Sequence, residues 1–231
     1  MLREALLAQG RAALVRLPAA ERARSVLFLS LTELLEDMGK PEEARLLYEE
    51  QLRVSKEAMR ANKETLGDRH EDTLGSIYDT GELLRNLGKL EEARPLLEEA
   101  LKGQRETLGD RDTYTLSSIR GLAAVLEEMG QLEEARPLYE EALQARREIY
   151  GDRDPGTLGS IYLLAILLKK QDKLVEAIPL YTERLEGLVL LHGMEHATTR
   201  GAAKRLVSTL RKAGQQEEAE ALADKHGLAG I

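Results

Sequence analysis

Two histidines near the C-terminal end of the chain have a spacing that could support metal chemistry. His192 and His196 are four residues apart with Glu195 beside them, an arrangement that can place zinc ligands on one helix face. A glycine separates the two histidines, however, and His196 follows it at the spacing at which His70 follows Gly67. We therefore interpret them as parts of a recurring helix junction and expect no metal site and no cofactor.

Paired carboxylates and serines are the other groups with catalytic potential. Glu91-Glu92 and Glu133-Glu134 recur at the starts of predicted helices, where the helix dipole favours negative charge, so their repetition indicates structure rather than acid–base catalysis. Ser118 and Ser160 repeat in phase within another predicted helix. The sequence contains no Gly-rich phosphate loop, no serine-elbow motif and no Cys-His arrangement. We predict no catalytic residues and no enzyme activity.

The composition favours an all-helical protein that binds neither nucleic acid nor membranes. Of 231 residues, 32% are charged and 3% aromatic, with Ala, Leu, Glu, Arg and Lys abundant. The net charge of -8 opposes binding to phosphate backbones. No apolar run reaches the about 18 residues of a membrane helix, and the charged first residues do not fit a secretory signal. Because cysteine is absent, we expect a cytoplasmic location.

The chain is built from repeats, because three residue series recur every 42 positions. A Gly-Asp-Arg sequence marks the repeat ends, a glycine marks the middle, and an alanine lies five residues beyond that middle glycine. The series are Gly67, Gly109 and Gly151; Gly88, Gly130 and Gly214, with Asp172 in the missing place; and Ala93, Ala135, Ala177 and Ala219. The agreement of the three series fixes the period.

Each period contains two predicted helices, which we call helix A and helix B. In the third period the apolar stripe of helix A is Leu116, Ile119, Ala123 and Leu126, and that of helix B is Leu132, Ala135, Leu138, Tyr139, Ala142 and Leu143. In the fourth, Asp154 before Pro155 predicts the N-cap of helix A. Short connections make the helices of a hairpin antiparallel, and each hairpin must cover its apolar face by stacking on the next. The predicted fold class is all-α, a right-handed superhelix of about five helical hairpins with terminal capping helices.

We expect a single domain over residues 1–231. Its predicted parts are an N-terminal capping helix within 1–24 and repeats at about 25–66, 67–108, 109–150, 151–192 and 193–231. The interval from Gly39 to Gly88 is 49 residues, so helix B of the first repeat, around residues 42–64, should be longer by about two turns. Helix B of the fifth repeat begins with polar residues and is expected to close the array.

The repeats resemble the 42-residue tetratricopeptide repeats of kinesin light chains. The resemblance lies in Gly88-Lys89-Leu90-Glu91-Glu92-Ala93, in Gly130-Gln131-Leu132-Glu133-Glu134-Ala135 and in the Leu-Gly-Asp-Arg linkers, and it covers about residues 25–226. It implies a tetratricopeptide repeat solenoid whose A helices line a concave groove that binds a protein or peptide partner. Light-chain repeats carry an Asn-Asn pair in helix A, where this chain has Tyr78-Asp79, Arg120-Gly121 and Tyr162-Leu163. A cargo-adaptor function therefore does not follow from the resemblance.

Carried over from this resemblance, the positions beside the packing stripe of helix A form a candidate peptide-binding groove. With the charged neighbours Glu36, Arg85, Glu128, Lys170, Arg205 and Lys212, they carry a charge of -4 in repeats 1 and 2, -1 in repeat 3 and +6 in repeats 4 and 5. We hypothesise a ligand with a basic part toward the N-terminal repeats, an acidic part toward the C-terminal repeats and an apolar anchor on Tyr162, Leu163 and Ile166. The candidate groove residues are Glu33, Asp37, Tyr78, Asp79, Glu82, Arg120, Glu127, Tyr162, Leu163, Ile166, Lys169, Lys204, Ser208 and Arg211.

Two other interpretations of this surface are compatible with the sequence. The charges could serve solubility alone, on a solvated face. The chain could also be a structural or self-assembling array without a separate ligand, because consecutive repeats are unusually alike. Size-exclusion chromatography with light scattering separates self-assembly, which gives a concentration-dependent oligomer, from a monomer whose groove is free for a partner.

Overall fold

A computed structural model describes residues 2–17 and 26–228, and these residues form eleven α-helices and no strands. The helices are α1 Leu2–Arg16, α2 Val26–Asp37, α3 Pro41–Leu66, α4 Glu71–Asn86, α5 Leu90–Leu108, α6 Thr113–Glu128, α7 Leu132–Tyr150, α8 Pro155–Lys170, α9 Leu174–His192, α10 Ala197–Lys212 and α11 Gln216–Lys225. Helices α2 to α11 are the A and B helices of five hairpins in turn. The all-helical repeat fold predicted from the sequence is confirmed.

The chain divides into two compact units, Met1–Gly121 and Leu122–Ile231, which we call the N-terminal and C-terminal units. In the N-terminal unit, α1 packs on α2, and α2, α3 and α4 each pack on the next helix; in the C-terminal unit, α7, α8, α9 and α10 each pack on the next helix. Successive helices therefore cover one another's apolar faces. The single-domain organisation and the repeat boundaries stay predictions, and the predicted start of repeat 1 at Ser25 lies outside the described residues.

The first helix covers the exposed end of the first hairpin. Leu7 and Leu14 of α1 are buried in one cluster with Phe28 and Leu35 of α2 and Ala44 of α3. Phe28 and Leu35 have no exposed surface. This additional helix therefore covers an apolar face of the first hairpin.

The corner between helix A and helix B needs a residue in the left-handed backbone conformation. Gly88 has φ +70°, and the backbone N–H of Lys89 donates to the carbonyl of Leu84 at 2.9 Å, which closes the end of α4. Asp172 takes the same place after α8 with φ +59°, the one positive φ among the described non-glycine residues. Aspartate tolerates this conformation as a single residue, so the glycine period continues through it.

The junction between repeats is capped by side chains at a fixed position. Asp154 accepts a hydrogen bond from the backbone N–H of Thr157 at 2.9 Å, which confirms the predicted N-cap. Asp112 accepts similarly from a backbone N–H at 2.8 Å, and His70 and His196 accept through Nδ1 at 3.2 and 3.3 Å. His70 and His196 therefore have a structural role at helix starts.

The first B helix is longer than the others, as its spacing predicted. Helix α3 has 26 residues, whereas α5, α7 and α9 have 19 each. The seven additional residues correspond to about two helical turns, so the apolar face keeps nearly the same orientation along the helix.

Small residues let the helices of a hairpin approach closely. Ala93, Ala135, Ala177 and Ala219 have no exposed surface. Gly81 lies in α4, opposite Leu97 of α5, and a Cβ atom at this glycine would lie 2.8 Å from Leu97 Cγ. Methyl groups or hydrogen atoms at these positions therefore set the spacing between the packed helices.

Replacement of Ala135 by leucine should destabilise the protein by about 1–3 kcal/mol, because the buried position has no room for three more carbon atoms. Thermal denaturation followed by circular dichroism measures the change. Ala61→Leu is the matched control, since Ala61 is exposed on α3 and the same enlargement there extends into solvent. An unchanged melting temperature for Ala135→Leu would contradict the close helix packing proposed at this position.

Candidate functional site

In the N-terminal unit, the predicted groove residues of α4 form a partly buried polar surface. Arg85 donates from Nε and Nη2 to the two carboxylate oxygens of Glu82, both at 3.2 Å, so much of the Glu82 charge is neutralised within the protein. Arg120 of α6 interacts with the Tyr78 hydroxyl. Gly121 makes this close approach possible, because a Cβ atom there would lie 2.8 Å from Glu82 Oε1 and 3.2 Å from Tyr78 Cε2.

Tyr78 is the aromatic centre of this surface. Burial raises the pKa of its hydroxyl above the usual value, the Glu82 carboxylate raises it further, and Arg120 opposes the shift. The hydroxyl therefore stays protonated at neutral pH. Of the other residues predicted here, Glu33 and Asp37 are exposed on α2, and Asp79 is partly buried beside Tyr78.

A pocket of about 340 Å³ opens between α4, α5 and the start of α6. Two of the predicted groove residues, Tyr78 and Asp79, line it. Its other lining residues are Glu71, Asp72, Gly75, Gln104, Leu108, Tyr114 and Ser117, which the groove prediction did not include. The pocket thus combines three carboxylates and two tyrosines with a buried amide.

In the C-terminal unit, Glu127 is occupied by internal partners. The Tyr139 hydroxyl donates to Glu127 Oε2 at 2.8 Å, and Lys170 Nζ lies 2.8 Å from Glu127 Oε1. The Glu127 side chain is only 10% exposed. This residue therefore holds α7 and α8 to the end of α6 rather than presenting a free carboxylate.

Tyr162 of α8 lies at the centre of a second cluster, which we call the Tyr162 cluster. It comprises Tyr162 itself, Tyr181 and Arg184 of α9 and Arg205 of α10. The Arg184 Cζ atom is 4.0 Å and the Arg205 Cζ atom 5.2 Å from the Tyr162 ring centroid, within cation–π range. Tyr181 packs edge-on against Tyr162 with 6.5 Å between ring centroids. Two guanidinium groups thus converge on one aromatic ring.

The positive charges of the Tyr162 cluster have no acidic partner among residues 2–17 and 26–228. Burial lowers the pKa of Arg184, and the nearby positive charge of Arg205 lowers it further. The Nε atom of Arg184 is buried without a hydrogen-bond partner. Within the described part of the chain, no carboxylate pairs with Arg184, Arg205, Lys169 or Lys204. This arrangement leaves a concentrated positive charge available to an external anion.

The remaining predicted residues of the C-terminal unit surround this cluster on the A helices. Leu163 and Ile166 are partly buried on α8, and Ser208 and Arg211 are exposed on α10. Two charges counted with them are engaged internally: Lys170 with Glu127, as described above, and Lys212, whose Nζ atom lies 3.4 Å from Asp172 Oδ1. The effective positive charge is therefore centred on Arg184 and Arg205.

Sequence profiles of tetratricopeptide repeats match residues 75–148 and 112–188, and further profiles of the same repeat match residues 167–229 and 27–59. The chain belongs to the tetratricopeptide repeat family. Its repeats are similar to the kinesin light chain-like repeats of solved structures, as the sequence resemblance predicted. Repeats of this family support a role as a protein-interaction scaffold, and proteins with this fold are generally not catalytic.

Solved structures with this repeat fold are similar to the chain over most of its length. The nearly identical repeats assigned to a kinesin light chain of Podosopora anserina have a TM-score of 0.73 at 21% identity, covering 89% of this chain and 94% of that one. BtubC (BKLC) from P. vanneervenii has a TM-score of 0.71 at 20% identity, with coverage of 97% and 93%. MamA from Desulfovibrio magneticus RS-1, from residue 41 to its end, has a TM-score of 0.56 at 20% identity, with coverage of 87% and 91%. No curated protein has significant sequence similarity to the chain.

Two further features of this tetratricopeptide repeat protein concern metal ions and membranes. The rings of His192 and His196 stack with 4.6 Å between centroids, and no group of three or more potential metal ligands occurs among residues 2–17 and 26–228. Over the same residues, no helix combines the length and apolar character needed to cross a bilayer.

Arg184 and Tyr181 were missed by the groove prediction because it considered only A helices. A signal for Arg184 was nevertheless present in the sequence. The equivalent positions in the three preceding repeats are Ala58, Ala100 and Ala142, all buried. An arginine at a position that otherwise holds a packed alanine is a departure that local structure alone does not require.

Proposed function

We propose that the chain is a non-catalytic scaffold that binds segments of partner proteins on the surfaces of its A helices. The C-terminal unit binds an acidic segment at the Tyr162 cluster, and the N-terminal unit binds a basic segment beside Tyr78. Partners are proteins or peptides, with no role for nucleic acid or membranes. A cytoplasmic location is part of the same proposal, because the chain lacks cysteine.

The unpaired positive charge at the Tyr162 cluster carries this proposal. Arg184 and Arg205 repel each other, and both lie against the Tyr162 ring with no carboxylate paired to them among the described residues. An acidic side chain or a C-terminal carboxylate would relieve the repulsion and accept charge-assisted hydrogen bonds. Leu163 and Ile166, partly buried on α8, offer apolar contact beside it.

The net charge of the chain makes binding of an acidic peptide a specific test of this proposal. At a net charge of -8, the chain as a whole repels an acidic peptide, so binding of such a peptide requires a local concentration of positive charge. Lys169 and Lys204 extend that charge along α8 and α10. They are placed to accelerate association with an acidic segment, while the partly buried guanidinium of Arg184 provides the short-range contact.

Binding of an acidic peptide should depend strongly on ionic strength. A fluorescein-labelled peptide of alternating glutamate and leucine is titrated with the full chain, and anisotropy is measured at about 50 and about 500 mM salt, where the Debye length falls to a few ångströms. We expect affinity to fall roughly tenfold at high salt, and the glutamine counterpart to bind weakly at both. The proposal would be rejected if the affinity were the same at both salt concentrations, or if it were unchanged by charge reversal at Lys204 and Arg211.

A further inference from the structure

We infer that the pocket between α4, α5 and α6 in the N-terminal unit binds one arginine side chain of a partner. The inference rests on the proposed function in one respect only, that a partner segment reaches the A-helix surface beside Tyr78. It adds a discrete site, a ligand group and residues that the groove prediction did not contain.

Gln104 provides the first line of support. It lies on α5, is only 2% exposed and lines the pocket, and its Oε1 atom has no hydrogen-bond partner. Buried acceptors in folded proteins are nearly always satisfied, so an unpaired one facing a pocket indicates a missing donor. The ligand group must therefore carry an N–H or O–H that can reach this amide oxygen.

The charge of the pocket restricts the donor to a cation. Glu71, Asp72 and Asp79 all line it, and none of its lining residues is a lysine or an arginine. Glu71 and Asp72 lie in the first turn of α4, where negative charge stabilises the helix N-terminus. The acidic residues alone would therefore not define a binding site. Together with the unpaired oxygen of Gln104, they create a position where a neutral donor is less favoured than a positively charged one.

The aromatic residues favour a planar cation. Tyr78, on α4, and Tyr114, which is 55% exposed in the first turn of α6, both line the pocket. A guanidinium group can stack on a tyrosine ring while its edge donates hydrogen bonds, whereas an ammonium group is a compact, strongly hydrated charge. At about 340 Å³ the pocket is at the small end of ligand sites, which suits one side chain.

The next repeat of the same chain contains a guanidinium group at the corresponding place. Arg146 of α7 is 42 residues after Gln104. Its Cζ atom is 5.7 Å from the Tyr150 ring centroid, and its Nη1 atom is 3.8 Å from Asp154 Oδ2. At Gly156, the counterpart of Tyr114, an added Cβ atom would collide with Arg146 Nη1. In that repeat the protein supplies its own arginine to a carboxylate and a tyrosine, and beside Gln104 the carboxylates and tyrosines of the pocket, at other repeat positions, are left for a partner.

The test uses N-acetyl-arginine methylamide as the probe and N-acetyl-citrulline methylamide as its neutral isostere. Each is titrated into the full isotope-labelled chain, and chemical shifts of the Gln104 side-chain amide and the Ser117 backbone amide are followed by NMR. We expect saturable shifts with the arginine probe and at least fivefold weaker binding of the citrulline probe. Equal binding of the two probes, or shifts elsewhere only, would overturn the inference.

Gln104→Arg tests the same site from the protein side. It should abolish probe binding, since the new side chain fills the pocket as Arg146 does in the next repeat. Gln144→Arg is the matched control, because Gln144 is exposed on α7 and the substitution adds the same charge outside the pocket. If Gln104→Arg does not fold, Glu71→Gln replaces it, with at least threefold weaker binding expected. Probe binding that withstands the substitution contradicts the inference.

The acidic peptide described above is titrated in parallel, which separates this inference from the proposed function. Acidic-peptide binding that persists while the arginine probe fails to bind overturns the arginine pocket alone. Arginine binding that persists while the acidic peptide fails to bind rejects the function of the Tyr162 cluster and leaves the pocket supported. Failure of both ligands rejects both.

Discussion

Replacing Tyr139 with alanine is expected to lower the free energy of unfolding by about 3–5 kcal/mol, the range for deleting a buried aromatic side chain. Tyr139 is 2% exposed, and its hydroxyl donates to the nearly buried carboxylate of Glu127 at 2.8 Å. The substitution leaves a cavity beneath α7 and removes one of two partners from that carboxylate. Urea denaturation of the full chain, followed by circular dichroism, measures the loss.

Tyr139→Phe separates packing from hydrogen bonding. It keeps the ring and removes only the hydroxyl, so we expect a loss of about 1.5 kcal/mol, the lower end for a hydrogen bond to a charged group, with Lys170 still paired to Glu127. A Tyr139→Ala variant within about 1 kcal/mol of the parent protein would show that this residue is not a central packing element. Equal losses for both variants would assign the whole effect to the hydroxyl.

Arg205→Glu is expected to weaken acidic-peptide binding by at least about tenfold, since it replaces an attractive charge by a repulsive one at the site. The Arg205 guanidinium lies 5.2 Å from the Tyr162 ring centroid and has no carboxylate partner in the described structure. The new carboxylate would also attract Arg184, whose pKa responds to the charge at position 205, and so reduce the positive potential offered to the ligand. Anisotropy titration at low salt measures the change.

Arg200→Glu is the control for this substitution. Arg200 is exposed on the same helix, α10, and its nearest acidic partner, Glu195, lies 3.8 Å away. Both variants change the net charge equally, so a general effect of charge would weaken binding equally in both. A loss below about threefold for Arg205→Glu, or the same loss for Arg200→Glu, would contradict the assignment of the acidic site to the Tyr162 cluster.

The helices could be predicted from the sequence because each is specified by several independent residues. The stripe of Leu116, Ile119, Ala123 and Leu126 lies at 0–4% exposure in α6, and the corner glycines adopt the expected left-handed conformation. Local chemistry also fixed the N-cap at Asp154. Such features depend on neighbours within about one helical turn, which the period reveals directly.

The charge distribution of the surface could be predicted only in part. Glu82, Glu127 and Lys170 were counted as free charges, but each pairs within the protein. Glu82 pairs with Arg85 on the same helix, whereas the contacts of Glu127 with Tyr139 and Lys170 depend on how different helices pack. Gln104 and Arg184 were not considered, because they lie on B helices and become accessible only where a neighbouring A helix leaves space. The sequence period shows which positions are equivalent but not which of them face each other.

The replacement of a packed alanine by Arg184 has a consequence for how binding properties change in such arrays. Because each hairpin contacts only its neighbours, a charged substitution in one repeat leaves the packing of distant repeats unchanged. Substitutions in one repeat can therefore change ligand preference without disturbing distant repeats. A segment that carries Tyr162, Arg184 and Arg205 should be transferable into another array with the same 42-residue period. Under the proposed function, ligand recognition would depend on residues such as Arg184 that depart from the repeat pattern.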